Sequence, residues 1–223
     1  MTGCILLVRH GETEWNLERR VQGRFDSPLT ERGIAQAQAI GRLVGELPDV
    51  ASARIVASPL GRARRTAEII REHLAVRPEL VIDDRLREIS AGSWDGLTFR
   101  DIELRSPGIF DGDGRWEWNF RAPGGETYDE FARRVGEWLD EWVDARFIVA
   151  VTHGVVSRVL RGLYSGLPRE AALVLPVPQD KVFRLTADSI EELAVSTPDA
   201  RSARDAADRG GRLHDAIGKG RSG

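Results

Sequence analysis

The chain has 223 residues, 41% of them hydrophobic and 30% charged, with a formal net charge of −3. That is enough for one substantial core in a domain of roughly 200 to 250 residues, and the slightly acidic balance gives no global basic field for nucleic acid. A single cysteine, Cys4, excludes an internal disulfide and fits a reducing cytosol. No apolar run of roughly 18 residues offers a helical membrane span, and residues 1–7 are too short for a secretory apolar segment, so a cytoplasmic protein is expected.

In chain order, residues 5–8 (Ile-Leu-Leu-Val) predict a central strand of a parallel sheet, opening at Arg9-His10-Gly11 into a loop. A long loop follows, and then a helix opening at Thr30 as N-cap and running to about Leu47, where Pro48 ends it. Residues 53–57 form a second apolar run, which passes through Ser58-Pro59-Leu60 into a helix over 62–74 with Arg62 in its first turn. A short strand over 80–82 precedes Glu88 and a Gly-containing turn. Residues 97–122 interrupt the alternation, setting Phe99, Ile102, Phe110, Trp116, Trp118 and Phe120 among charges. These aromatics either select a ligand at a rim or simply pack the insertion onto the body. Thr127 and Glu130 have capping-box spacing for a helix reaching about Val143, with Phe131, Val135, Trp138, Leu139 and Trp142 on one face. A further strand, residues 147–152, delivers His153-Gly154.

This alternation predicts an α/β fold with a mainly parallel central sheet and helices on both faces. One domain over 1–198 is expected. Residues 199–223, rich in Ala, Arg, Asp and Gly with six basic and four acidic side chains, read as a flexible tail, with a partner-binding helix as the alternative.

Ligands in such sheets bind beyond the carboxyl ends of the strands, so three strand exits converge on one polar pocket. An Arg-His pair alone is more often a surface pair or a satisfied polar group than a site. Two His-Gly exits and Arg62 change that reading, because Arg9, Arg62, His10 and His153 supply two guanidinium forks and two imidazoles, a set suited to a tetrahedral dianion. The implied ligand is a phosphoryl group. Asn16 can add an amide donor, and the helix after His153 its N-terminal N–H groups and dipole. Glu88 is the candidate proton source for an alkoxide leaving group; its alternative is an ion pair with Arg85 or Arg87. No carboxylate–histidine cluster with metal-ligand spacing is evident.

These residues resemble the histidine phosphatase superfamily, which includes the cofactor-dependent phosphoglycerate mutases. The likeness runs over about residues 4–186: Leu7-Val8-Arg9-His10-Gly11-Glu12-Thr13 with Asn16, then Gln22-Gly23-Arg24-Phe25-Asp26-Ser27-Pro28-Leu29-Thr30 with Gly33, Ser58-Pro59-Leu60 with Arg62, Leu86-Arg87-Glu88, Pro123-Gly124-Gly125-Glu126 and Thr152-His153-Gly154. The resemblance implies His10 as the nucleophile that becomes phosphohistidine, Glu88 as general acid and then base, and Arg9, Arg62, His153 and Asn16 as phosphate ligands. Gln22, Gly23, Trp116 and Trp118 would face the rest of the substrate, and residues 97–122 would form a small cap. Leu175-Pro176-Val177-Pro178-Gln179-Asp180 replaces the family's Asn-containing segment, while Arg65 and Asp95 stand where Gln and Glu are more usual.

The expected function is hydrolysis of a small-molecule phosphomonoester, without metal or cofactor, and with no nucleic-acid or membrane partner; a homodimer is left open. A phosphoglycerate-type mutase is the alternative, disfavoured by the phosphatase-like segment 22–28 and the short insertion. A noncatalytic phosphate- or phosphopeptide-binding module is the second alternative, and the presence of both His10 and Glu88 weighs against it.

Overall fold

Strand side chains alternate between the two faces of a sheet, so an unbroken apolar run such as residues 5–8 needs cover on both sides. The computed structural model, which describes residues 3–48, 50–112, 115–187 and 189–195, supplies that cover. Its strands are β1 (Cys4–Arg9), β2 (Arg54–Ala57), β3 (Leu80–Ile82), β4 (Ile148–Thr152), β5 (Lys181–Thr186) and β6 (Ser189–Ala194). They form one sheet in the order β3-β2-β4-β1-β5-β6. The pairings β2–β3, β2–β4 and β1–β4 are parallel, and β1–β5 and β5–β6 antiparallel. The α/β architecture is therefore the expected one, with a mainly parallel centre and an antiparallel edge.

The helices are α1 (Glu14–Leu17), α2 (Glu31–Gly45), α3 (Gly61–Glu72), α4 (Phe99–Arg105), α5 (Tyr128–Trp142), α6 (Gly154–Tyr164) and α7 (Arg169–Leu173). On one face Ile5, Leu7, Ile148 and Ala150 meet Phe131, Val135 and Trp138 of α5 and Val156, Val159 and Leu160 of α6. On the other, Leu6, Val8, Val149 and Val151 meet Ile40 and Val44 of α2 and Ala63, Ala67 and Ile70 of α3. Burial of each large aliphatic side chain is worth about 1.5–3 kcal/mol, so the central strands are the most firmly held part of the molecule. Cys4 is buried in the second cluster.

Thr30 caps α2 by accepting from Gly33 N at 3.0 Å, and Thr127 and Glu130 form the expected capping box of α5. Within the long loop after β1, the sequence reading left out α1, which Thr13 and Asn16 close with a capping box of their own. Four residues are too few for a helical period to register. Residues 199–223 lie outside the described part. Among the described residues, no helix is long and apolar enough to cross a membrane.

Candidate active site

Parallel register brings the ends of β1, β2 and β4 to one edge. Arg9 lies opposite Thr152 and Ala57 opposite Val151, and the pairing continues one residue further through His10 N to Thr152 O at 2.9 Å and Ser58 N to Val151 O at 3.0 Å. The rings of His10 and His153 consequently stand with centroids 5.2 Å apart.

The tautomer of His10 follows from its neighbours. Nδ1 lies 2.8 Å from the Gly11 carbonyl, which can only accept, so Nδ1 carries the proton. Nε2 then presents a lone pair, which accepts from Arg62 Nε at 3.3 Å. Burial, reinforced by Arg62 and Arg9, holds the His10 pKa well below its ordinary 6.5. A neutral imidazole between two guanidinium groups can attack an electrophilic phosphorus.

Arg62 is 2% exposed, and a buried cation needs fixed partners. It donates to Phe25 O (2.6 Å), Gly23 O (2.9 Å) and Asp26 Oδ1 (3.0 Å). Asp26 also accepts from Gly61 N at 2.6 Å and Arg62 N at 3.3 Å, capping α3, whose own N-cap residue Leu60 has no side-chain acceptor. One carboxylate thus fixes both the helix and its arginine. Gly23 acts through its backbone: its φ is +48°, and a Cβ there would stand 1.6 Å from Asp95 Oδ1. Arg9 donates to Val177 O at 2.6 Å, and its Nε is a buried donor with no partner among the described residues. Burial lowers its pKa to about 10 against the opposing pull of Glu88, which leaves it charged at neutral pH.

His153 is fully buried. Its Nε2 contacts Ser58 Oγ at 2.7 Å, and its Nδ1 has no partner among the described residues. Burial first, then Arg62, His10 and Arg9, hold its pKa well below 6.5. Glu88 does not pair with either arginine proposed for it: Arg85 bonds Asp83 and Glu141, and Arg87 bonds Asp84. Its carboxylate instead accepts from Ile89 N at 3.0 Å and from Val155 N at 3.2 Å. One N–H at the start of α6 is therefore committed to Glu88. The backbone carrying Glu88 is held by Thr152 Oγ1, which donates to Leu86 O at 2.8 Å, and by Arg134, which donates to Arg85 O and Arg87 O at 2.6 and 2.8 Å.

The loop after His10 lies on the start of α2 with no room between. A Cβ on Gly11 would stand 2.3 Å from Gly33 O, and one on Gly33 2.0 Å from Glu12 O. Gly11 N donates to Thr66 Oγ1 at 3.1 Å, which gives the Thr66 of α3 its role. Asn16 Oδ1 accepts from Thr13 N and from Gln179 Nε2, both at 3.1 Å. Gln179 Nε2 also reaches His10 O at 3.1 Å; the segment that replaces the family's Asn therefore still sends an amide to the backbone of His10. Gln22 donates to Thr13 Oγ1 at 2.8 Å and keeps Oε1 buried without a partner among the described residues.

A cavity of about 300 Å³ gathers Arg9, His10, Asn16, Gln22, Gly23, Arg62, Glu88, Trp116 and Trp118 in its lining. Of the ten residues singled out from the sequence, only His153 lies behind the lining. Trp118 lines the cavity and also packs on Trp94, Phe99 and Phe110, a placement that fits either role offered for the insertion. Phe120 does not line it and packs on Tyr128 and Phe131 instead. Asp26, Ser58, Arg134, Arg158 and Gln179 had been assigned no part. Asp26 and Ser58 sit inside recognised motifs, but what they bond is separated from them by long stretches of chain, which no local pattern encodes. Among the described residues no group of three or more His, Cys, Asp or Glu is placed to hold a metal ion.

Strand-end histidines and buried arginines around one cavity of a doubly wound sheet define a class of phosphoryl-transfer site. The profile of the histidine phosphatase superfamily (branch 1) matches residues 5–197, and the chain belongs to that superfamily. Its members are phosphatases or mutases with a phosphohistidine intermediate. A relative from Erwinia tasmaniensis named "Probable phosphoglycerate mutase GpmB" is 39% identical over 176 residues, which cover 75% of this chain and 77% of the relative. A mycobacterial glucosyl-3-phosphoglycerate phosphatase, solved with VO3, is similar in structure with a TM-score of 0.71 at 29% identity, covering 88% of this chain and 100% of that one. The α-ribazole phosphatase of Shigella flexneri has a TM-score of 0.71 at 26% identity, covering 86% of this chain and 95% of its own.

Proposed function

We propose that the chain hydrolyses phosphomonoesters of small metabolites through a phosphohistidine on His10. The observation that carries this reading is the unprotonated Nε2 of a buried His10, directed by the Nδ1–H bond to Gly11 O and flanked by Arg62. Nε2 attacks phosphorus as the bond to the alcohol oxygen breaks, and Glu88 gives that oxygen a proton. Arg62 Nε turns from His10 to a phosphoryl oxygen. Arg9 Nε, His153 Nδ1 and Asn16 hold the others, so fixed donors meet charge that water would otherwise stabilise. Glu88 then takes a proton from water, the resulting hydroxide oxygen attacks phosphorus, the P–N bond breaks, and inorganic phosphate leaves with His10 restored.

No step of this scheme calls for a metal or a cofactor. Gln22, Gly23, Trp116 and Trp118 lie toward the departing alcohol, residues 1–198 act as one catalytic domain, and the cytoplasm, where Cys4 stays reduced, is the compartment that suits it.

Isomerisation of a phosphoglycerate is the second reading, favoured by the name of the Erwinia relative. Phosphate release across a panel of monoesters, measured beside isomerisation with and without a bisphosphorylated primer, separates the two. Hydrolysis of at least one monoester faster than any isomerisation is expected. Primer-dependent isomerisation that outpaces every hydrolysis would overturn the phosphatase.

A further inference from the structure

Residues 87–91, the stretch that carries Glu88, belong to no helix or strand, and main chain outside regular elements must find its hydrogen-bond partners elsewhere. Arg134 of α5 grips this stretch and its approach. It donates from Nη1 to Arg85 O at 2.6 Å and Arg87 O at 2.8 Å, and from Nη2 to Glu88 O at 3.4 Å. Its other hydrogen bonds go to Glu126, Nε to Oε1 at 2.6 Å and Nη2 to Oε2 at 2.9 Å. Two parallel bonds of this kind fix the plane of a guanidinium, and the Phe131 ring, its centre 4.3 Å from the guanidinium carbon, supports one face. Glu126 meets the same stretch again through its backbone N–H, which donates to Ser90 O at 3.0 Å. A Cβ on Gly125 would stand 2.8 Å from Ser90 O, and one on Gly92 2.3 Å from Pro123 O, so the turn before α5 lies directly on the turn after Glu88.

Arg134 and Glu126 are both largely buried, yet neither lines the cavity. A proton donor works only within hydrogen-bond reach of the leaving oxygen, and a misplacement of about 1 Å can cost roughly 10²-fold. The Glu88 carboxylate is held by the N–H groups of Ile89 and Val155 alone, which leaves its direction to the main chain beneath it. We infer that Arg134, oriented by Glu126, is the positioning residue of the proton step: it holds the backbone of Glu88 where the carboxyl reaches the departing oxygen. The inference rests on the reading of Glu88 as the acid. The phosphate clamp stands on other supports, since Arg62 is held by Phe25 O, Gly23 O and Asp26. Arg24, 45% exposed, approaches Glu126 only to 3.7 Å, too loose an ion pair to carry that loop.

The test is a double-mutant cycle in the full chain. It is read on phosphoenzyme formation and kcat/KM, with p-nitrophenyl phosphate and with the alkyl monoester hydrolysed fastest in the panel. Arg134→Met keeps the stem and removes the grip, Arg134→Lys keeps the charge and part of the grip, and Glu126→Gln keeps the shape of the orienting side chain without its charge. Arg134→Met should cost the alkyl ester about 10- to 100-fold, and p-nitrophenyl phosphate, whose leaving group needs little protonation, much less in the first step. Arg134→Lys should restore part of the loss, and Glu126→Gln should show a weaker form of it. Added to Glu88→Gln, Arg134→Met should cost little more, because residues that act as one unit are not additive. Affinity for inorganic phosphate, measured by calorimetry, should be unchanged in the Arg134 and Glu126 variants, which also shows the site folded. Equal losses for both esters in Arg134→Lys and Glu126→Gln, or a loss that multiplies in full with that of Glu88→Gln, overturns the inference and leaves the hydrolase reading in place. Glu88→Gln without any loss removes the acid itself, and the inference with it. Isomerisation that outpaces every hydrolysis counts against the hydrolase reading alone, since phosphoenzyme formation is common to both reactions and coupling in that step still supports the role of Arg134.

Discussion

The floor of the cavity and its cap wall are built on opposite plans. The floor rests on strand ends: His10, Ser58 and His153 follow β1, β2 and β4 directly, and the backbones of His10 and Ser58 continue the sheet's hydrogen bonds. Its side chains are held from several directions, Arg62 by three acceptors besides His10. The wall comes from the described part of residues 97–122, whose Ile102 and Ala122 pack with Ala91 and Trp94 in a small cluster apart from the two that cover the sheet. There Phe99 and Trp116 remain 41% and 37% exposed. On the proposed reading, a floor whose donors are already in place preorganises phosphoryl transfer, since such donors cost no reorganisation as charge develops, while an aromatic wall with a less buried surface acts on the choice of leaving group.

The sharpest challenge to this division is His10→Ala. Loss of a nucleophile that acts as one unit with its neighbours costs about 10⁴-fold or more in kcat. Phosphate release should fall by that order, and the acid-labile phosphate trapped on the wild type by brief exposure to substrate should vanish, with an unchanged circular dichroism spectrum. Undiminished hydrolysis would falsify the phosphohistidine route.

Glu88→Gln comes next, because general acid–base assistance contributes about 10²–10⁴-fold. Hydrolysis of alkyl esters should fall within that range. With p-nitrophenyl phosphate, whose leaving group needs little protonation, the first step should suffer less and phosphoenzyme should build up. Equal losses for both substrates without accumulation would remove Glu88 from the leaving-group side.

A wall substitution should behave differently in kind. Trp116→Ala should shift relative kcat/KM values across a substrate panel by about tenfold, the scale of a modest pocket contact, and leave the order of the chemical steps alone. Uniform losses for every substrate would make Trp116 packing and nothing more.

The smallest effect is on stability and belongs to the floor alone, since residues 97–122 contain no histidine. His10 and His153 are held neutral in the fold, with pKa values well below 6.5, whereas in the unfolded chain they take up protons near that value. Below about pH 6.5 the unfolded state binds more protons than the folded one, so stability is complete above this pH and declines as pH falls toward the folded pKa values. The melting temperature should drop by a few degrees from about pH 6.5 to 5, with a shallower slope in His10→Ala. A flat profile in the wild type would mean the pair is not kept neutral.

The contrast also explains what could be read from the chain. Apolar runs ending in Arg9-His10 or His153-Gly154 carry their meaning locally, and so do the caps at Thr30 and Thr127; strand, helix and strand-end residue were all available from a short window. Glu88 was found through its motif, but its partner Val155 lies 67 residues away, and the alternative pairing with Arg85 or Arg87 could be dismissed only once Asp83, Asp84 and Glu141 were seen to occupy them. Asp26, Arg134 and Gln179 are of the same kind, since each acts on an element distant in sequence. The insertion was only half legible, because an indole at a cavity wall and a packed one have the same spelling; Trp118 both lines the cavity and packs.

Gly11 and Gly33 turn the usual logic of alanine scanning upside down. At most positions alanine removes atoms and reports what the side chain was doing, but at this joint between the nucleophile's loop and α2 it adds one, where the nearest backbone oxygen would be 2.3 or 2.0 Å away. The smallest side chain available would act as a wedge between two pieces of main chain, displacing His10 without touching a reacting group. The fit of the loop that carries His10 rests on two positions that have no side chain.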